Sequence, residues 1–259
     1  MSSLRARCPA CRTWTAVAVG RGYECHACGR TFAAGLVRVP RAWGSGGEAM
    51  AEGAFLDLPY PETGIVAKDT LEEQSAALAA LLPERPLVLG GCCCAHVGAV
   101  RGLAARVGRL GLVWLDAHGD LNTSESSPSG NLWGMPLRML VDSGLVKAED
   151  VALVGARSLD PGELEFLADT GIDDSLERAL DGVDAVYVAL DVDVLDPGEA
   201  AVFVPEPGGP MVRDVEEILG DAAGRAEVAG VGVTGHLRVD RNVAVVSRLL
   251  AAVGLETRF

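Results

Sequence analysis

The sequence predicts an α/β protein, a parallel sheet covered by helices on both faces, with a small cysteine-rich appendage in front of it. Three observations predict this. From Pro86 to Val253, strand signals alternate with helical signals of about ten to fifteen residues. Two apolar runs, Leu112–Leu115 and Ala185–Leu190, break directly into acids and a histidine. Near the N-terminus, Cys8-Pro-Ala-Cys11 and Cys25-His-Ala-Cys28 set two thiol pairs thirteen residues apart.

A chain of 259 residues has room for one large domain and an appendage. With 49% apolar residues but only 5% aromatic, its core must be built from Ala, Val and Leu. No apolar stretch reaches the roughly 18 residues that span a bilayer, and the N-terminus has no apolar region of a secretory signal. Both point to the cytoplasm and away from a membrane. There, seven cysteines read as metal ligands or buried thiols before disulfides. Charge divides the chain. Residues 1–41 hold seven Arg against Glu24, a net +6, which leaves −20 for the rest of a chain whose total is −14.

The four paired thiols can meet around one ion as the closed tetrahedral shell of structural zinc. A segment this short cannot bury enough surface to fold alone, so the metal would supply the folding free energy. The segment resembles a zinc ribbon. Residues 1–35 are expected to form it, with Cys8, Cys11, Cys25 and Cys28 on one Zn²⁺. Its arginines could touch nucleic acid, but a docking or homo-oligomer contact is the simpler role.

Residues 36–259 are expected to form the main domain. After the Gly-rich turn Gly44-Ser-Gly-Gly47, Thr70-Leu-Glu-Glu73 reads as a capping box opening a helix to Leu82. Pro86–Leu89 reads as a strand, Gly90-Gly91 as a turn, and Cys94–Leu110 as a helix. The Leu112 strand follows, then a helix over Trp133–Ser143 and a strand over Asp150–Ala156. Helices are expected over Pro161–Asp169 and Ser175–Leu180. The Ala185 strand, a Met211–Ala223 helix, the Val228–Thr234 strand and an Arg241–Val253 helix complete the alternation.

The strand ends carry the chemistry. The Leu112 run emerges into Asp116, His118 and Asp120, with Asn122 next, and the Ala185 run into Asp191, Asp193 and Asp196. Open parallel sheets place their ligands at the carboxyl ends of strands. Carboxylates gathered there on buried strands demand a cation. One divalent ion hardly balances four carboxylates, so the pattern points to two.

These residues resemble the ureohydrolases, the family of arginase and agmatinase, over roughly residues 86 to 253. Asp116-Ala-His-Gly-Asp120 matches the family's Asp-Ala-His-x-Asp. Ser129-Gly-Asn-Leu-Trp-Gly134 matches its Ser-Gly-Asn-x-His-Gly, and Asp191-Val-Asp-Val-Leu-Asp-Pro197 its Asp-x-Asp-x-x-Asp-Pro. Val154–Glu163, which contains Asp160, looks like the segment whose acids contact the substrate's α-amino end. The resemblance implies a three-layer arginase-like fold. It also implies a hydrolase acting on a linear C–N bond of a small guanidino or amidino compound, modified arginines included. Asp116 and Asp191 would bridge two divalent cations, Mn²⁺ foremost, with Asp120 completing the first and His118 and Asp193 the second. The catalytic residues would be Asp120 and His118, Asp120 orienting the nucleophilic water and returning its proton to the leaving amine. Asn122, Ser129 and Asn131 match positions that grip an amino-acid carboxylate, and Trp133 and Asp160 complete the expected substrate wall.

Three positions depart from the family pattern. Its Gly-Gly-Asp-His is here Gly90-Gly-Cys-Cys93, so a cysteine stands at a metal-ligand position, which tilts the preference toward Zn²⁺, Co²⁺ or Fe²⁺. Some relatives that hydrolyse hydroxyarginine share that change. Cys92 and Cys94 read as small buried residues, and His96 as either a substitute ligand or a neighbour of the helix start. Trp133 replaces a proton-shuttling histidine, and indole exchanges no proton. The late strand ends in Thr234-Gly235-His236, where relatives place a Glu that pairs with the guanidinium. A second reading follows: a metal-binding homologue with little catalysis that acts through its ribbon. A deacetylase-like reading shares the fold but needs a different, single-metal ligand set.

Overall fold

The structure, a computed structural model, describes residues 5–258, so the outermost residues of the two expected domains lie outside the described residues. The chain opens with four short strands, β1 (Arg5–Ala6), β2 (Ala16–Val19), β3 (Gly22–Cys25) and β4 (Thr31–Phe32). Strand β5 (Gly35–Val39), helix α1 (Glu48–Gly53) and strand β6 (Glu62–Ile65) follow, none of them foreseen from the sequence pattern. Helix α2 (Leu71–Leu81) starts where expected, because Thr70 Oγ1 accepts the Glu73 N–H at 3.2 Å. Then come β7 (Pro86–Gly90), α3 (Ala95–Ala104), β8 (Leu110–Leu115), α4 (Pro136–Asp142) and β9 (Val151–Val154). Helices α5 (Pro161–Thr170) and α6 (Leu176–Ala179) lead to β10 (Ala185–Asp191). The chain closes with α7 (Val212–Arg225), β11 (Val228–Thr234), α8 (Asp240–Ala252) and β12 (Thr257–Arg258).

Two boundaries differ from expectation for local reasons. The helix expected to reach Leu110 stops at Ala104, and Leu110 instead pairs with Ala185 as the first residue of β8. The helix expected over Trp133–Ser143 is a 3₁₀ turn at Leu132–Gly134 followed by α4. Pro136, which has no N–H to continue a helix, occupies the first turn of a new one.

Seven strands form a fully parallel sheet in the order β6-β5-β7-β11-β10-β8-β9. Their residues alternate between two cores. Leu87, Leu89, Val113, Leu115, Val186 and Val188 face the side covered by α6, α7 and α8. Val88, Leu112, Trp114, Tyr187 and Ala189 face the side covered by α2, α3 and α4. This is the predicted three-layer fold, built from aliphatic residues as the composition required.

The small sheet, ordered β1-β2-β3-β4-β12, is stitched to the large one. The C-terminal strand β12 pairs antiparallel with β4. Arg7 and Glu62 exchange backbone hydrogen bonds of 2.8 and 3.0 Å, and the Arg21 guanidinium donates to the Val228 carbonyl at 2.8 Å.

Candidate metal centre

Four adjacent strands, β7, β11, β10 and β8, converge on one cleft at their carboxyl ends. Cys93 follows β7, Asp116 follows β8, Asp191 ends β10 and Thr234 ends β11. Each acid is turned by its own backbone. Asp116 Oδ1 accepts the His118 N–H at 2.7 Å, and Asp191 Oδ1 accepts the Asp193 N–H at 2.9 Å. Trp114 Nε1 donates to Asp116 Oδ2 at 3.2 Å, and the Ala117 N–H to Asp193 Oδ1 at 3.1 Å.

Two groups of potential ligands overlap at Asp116. Cys93, Asp116 and Asp191 form one, and Asp116, His118 and Asp193 the other, with ligand atoms within 4.8 Å of one another in each. Cys93 Sγ lies 3.0 Å from Asp191 Oδ2 and 3.8 Å from Asp116 Oδ2. His118 Nδ1 lies 3.3 Å from Asp116 Oδ1 and 3.2 Å from Asp193 Oδ2. Asp120 lines the same cleft, at a left-handed φ of 53°. Its buried Oδ2 has no hydrogen-bond partner among the described residues, a costly state that a cation would relieve.

The electrostatics agree with that need. Burial, then the charge of Asp193, pushes Asp191 up to about 7. Burial, then Asp116, pushes Asp193 up to about 6. Asp116 and Asp120 are raised by the same causes, and burial followed by the Asp120 charge holds the Cys93 thiol well above its usual range. Burial opposes a charged His118, but its bonds to Asp116 and Asp193 outweigh this and push it up to about 12. Without a cation these groups hold protons on each other's account, and a divalent ion inverts that balance by favouring every deprotonated ligand.

Four of the five residues expected on the substrate wall line the cleft. Asn122, Ser129, Trp133 and Asp160 line the cleft, with Met50, Ser127, Ser158, Glu163 and Phe203. Asn122 is tied down at both ends, its Nδ2 donating to Asp160 at 2.8 Å and its Oδ1 accepting from Ser126 at 2.9 Å. Asn131 is turned away, its Oδ1 accepting the Ser45 N–H at 2.9 Å, so it shapes the 44–47 loop. Trp133 packs edge-on against Phe203 with ring centroids 6.2 Å apart. No Lys or Arg lines the cleft among the described residues.

Several contributors escaped the sequence pattern. Glu206 Oε1 stands 3.7 Å from His118 Nε2, on the ring edge opposite the cluster. Glu206 belongs to a Pro-Glu-Pro-Gly-Gly turn with no periodicity to flag it. Thr234 donates to Asp191 Oδ2 at 3.0 Å, and His96 is no ligand but lies behind Thr234 at 3.3 Å.

A second cluster lies in the small sheet. Cys8, Cys11, Cys25 and Cys28 bring their sulfurs within 4.8 Å of one another, with Cys8–Cys28 at 3.8 Å and Cys11–Cys25 at 3.5 Å. A tetrahedral shell with Zn–S near ~2.3 Å has S···S edges of about 3.8 Å. Burial alone would raise the Cys25 thiol, but bonds from Thr15 and the Cys28 and Ala27 backbone bring it down to about 6. All seven cysteines are free thiols.

A parallel three-layer fold with two acid clusters sharing one aspartate defines a class of dinuclear metal proteins. The Arginase family profile matches residues 49–235, and the chain belongs to the arginase family. An arginase from Staphylococcus aureus (strain COL) is 40% identical over 142 residues, 44% of this chain and 47% of that protein. An arginase from Bacillus subtilis (strain 168) is 38% identical over 170 residues, 53% of this chain and 57% of that one. The chain thus spans about half the length of the curated relatives it matches. Among solved structures, the arginase of Bacillus caldovelox aligns with a TM-score of 0.72 at 25% identity, covering 87% of this chain and 98% of its own. The proclavaminate amidino hydrolase of Streptomyces clavuligerus shares the fold at a TM-score of 0.67 and 22% identity, covering 85% and 90%.

Proposed function

We propose that this protein is a dinuclear-metal-dependent hydrolase that cleaves a linear C–N bond of a guanidino or amidino compound, modified arginines included. The observation that carries the reading is the pair of ligand groups sharing Asp116, set in an acidic cleft at the sheet's carboxyl edge. Cys93, Asp116, Asp120, Asp191, His118 and Asp193 would hold the two cations, with Asp116 common to both ligand groups. Mn²⁺ is the family's cation. A thiolate from Cys93 favours Zn²⁺, Co²⁺ or Fe²⁺ where it binds.

When bound, two such cations acidify water and polarise the substrate, so a nucleophile forms near neutral pH. The chain's own groups do the rest. Asp120 takes the attacking water's proton and returns it to the leaving amine. His118 holds the ring edge of the cleft against Asp193. Asp160 and Glu163 also line the cleft, and their negative charge attracts a substrate's cationic end. Trp133 supplies a flat surface for a planar group and transfers no proton. Residues 1–35 are read as a ribbon holding one Zn²⁺ through Cys8, Cys11, Cys25 and Cys28, and residues 36–259 as the hydrolase domain. A homo-oligomer in the cytoplasm is the setting proposed. No helix among the described residues is long and apolar enough to cross a membrane.

The test is metal titration into stripped protein, followed by assays for urea or ammonia release across guanidino and amidino compounds. Two tight equivalents beyond the ribbon zinc, with product released, support the reading. One equivalent and no product would transfer the assignment to the second reading, a metal-binding homologue working through its ribbon. That reading draws on the strand end at Thr234 and Gly235, where no carboxylate faces the cleft.

A further inference from the structure

Behind Asp191 lies a buried run of polar groups that the proposed chemistry does not use. Tyr187 Oη is 3.0 Å from His96 Nδ1, His96 Nε2 is 3.3 Å from Thr234 Oγ1, and Thr234 donates to Asp191 Oδ2 at 3.0 Å. Tyr187 and Thr234 are 0% exposed and His96 is 1% exposed, so water cannot complete any of these bonds. The groups come from three elements, Tyr187 on β10, His96 on α3 and Thr234 on β11.

Satisfaction of buried donors selects a direction for the run. A phenol hydrogen with no acceptor, or a carboxylate oxygen deprived of its donor, would each carry the full cost of desolvation. With the His96 proton on Nε2, Tyr187 O–H donates to Nδ1, Nε2–H donates to Thr234, and the threonine hydrogen goes to Asp191. With the proton on Nδ1, Tyr187 O–H has no acceptor among the described residues and the Thr234 hydrogen is drawn back to Nε2. Only the first arrangement satisfies every group. Burial, which holds His96 down to about 3, keeps the ring neutral, as this arrangement needs.

The β11 backbone is cut to fit. A β-carbon on Gly232 would run into Tyr187 Oη and His96 Nδ1, and one on Gly235, at φ +70°, into the Asp191 carboxylate. Glycines therefore clear space on both sides of Thr234. The threonine hydroxyl also sits 3.3 Å from Cys93 Sγ, so it touches two members of one ligand group.

We propose that Tyr187, His96 and Thr234 form a directed hydrogen-bond chain that positions Asp191 and Cys93 as metal ligands, so that the end of β11 serves the metal instead of the substrate. His96 and Thr234 are positioning residues under this assignment. It rests on the metal reading above. Outer-shell partners of this kind typically change metal affinity by roughly 10–100-fold when removed.

The test titrates Mn²⁺ and Co²⁺ into stripped protein and its variants, with ¹⁵N-histidine NMR of the metal-free forms. Thr234→Val should weaken one of the two sites roughly 10–100-fold, and Thr234→Ser should restore it. Tyr187→Phe lies away from the ligands and should weaken the same site by less. The NMR should report His96 as the Nε2–H tautomer in the parent and a mixture in Tyr187→Phe, a change that mere loss of packing would not produce. If folded Thr234→Val and Tyr187→Phe bind both metals like the parent, or His96 is Nδ1–H in the parent, the positioning chain is wrong while the hydrolase reading stands. If the parent itself binds no cation beyond the ribbon zinc, both fall.

Discussion

Asp116 is the residue on which the site turns, because it alone belongs to both ligand groups. Asp116→Ala should therefore empty both positions at once. Metal analysis should return no tight equivalent beyond the ribbon zinc, and turnover should fall to background. A variant that keeps one equivalent would show that Asp116 does not bridge. Glu206 acts on the other side, 3.7 Å from His118 Nε2. At that distance the Glu206 carboxylate faces the Nε2 edge by charge and not by a hydrogen bond, and outer-shell carboxylates bias the orientation of a metal-ligating imidazole. Glu206→Gln should weaken only the position held by His118 and Asp193, by roughly tenfold. Calorimetric titration would see one of two binding phases move.

At the scale of the element, β11 shows how a strand can be shaped by what lies beside it. Its Gly-Val-Gly-Val run, Val231 and Val233 facing the α7–α8 core, reads as a weak strand because glycine carries the backbone-entropy cost of ordering without packing in return. Gly232→Ala should force His96 and Tyr187 to shift, with overpacking costing about 1–3 kcal/mol. Gly220 in α7 is the control, since a β-carbon there meets nothing within 4 Å. Gly220→Ala should instead stabilise by about 0.5–1 kcal/mol. Thermal melts of the two variants should move in opposite directions.

At the scale of the molecule, the ribbon and the main sheet share backbone. β12 closes the small sheet against β4, and Arg7 bridges to Glu62, the first residue of β6. Emptying the proposed four-cysteine zinc site, by Cys25→Ser or a strong chelator, should therefore loosen the C-terminal strand and β6 along with the small sheet. Hydrogen exchange should speed up at residues 62–65 and 255–258, where an independent ribbon would leave them protected. The acid cluster imposes a pH dependence on protein whose main site is stripped and whose ribbon is loaded. Asp191 and Asp193 titrate at about 7 and about 6 in the fold, above the ordinary 3.8. A carboxyl raised on folding binds its proton more tightly in the native state, so its stabilising contribution is complete below pH ~4 and is lost as pH rises toward 7. The His118 contribution, also raised, is still intact over that interval. The melting temperature should therefore fall between pH 5 and 7, and added Mn²⁺ should raise it most at the upper end, where the ligands are deprotonated. A stripped protein that gains stability over this range would contradict the shifts.

The sequence by itself determined the α/β layers, and it singled out the residues on which the metal proposals rest. Aliphatic runs of strand length, capping residues and acids at strand ends are local signals, and each reports the physics of its own few residues. Asp116, His118, Asp120, Asp191 and Asp193 stood out this way as candidate ligands, as did the four paired cysteines, whereas Cys93 stood out only through the family resemblance. Strands β5 and β6 were not, because Gly35–Val39 and Glu62–Ile65 owe their state to pairing with β7 and with each other, partners distant in the chain. The same holds for Glu206, His96 and Tyr187, which gain their places near the site only through the fold. Thr234 shows the division most plainly. Its position at a strand end where relatives carry Glu could be read from the chain. That its hydroxyl turns inward to Asp191 was decided by His96, Tyr187 and two glycines whose spacing only the folded sheet creates.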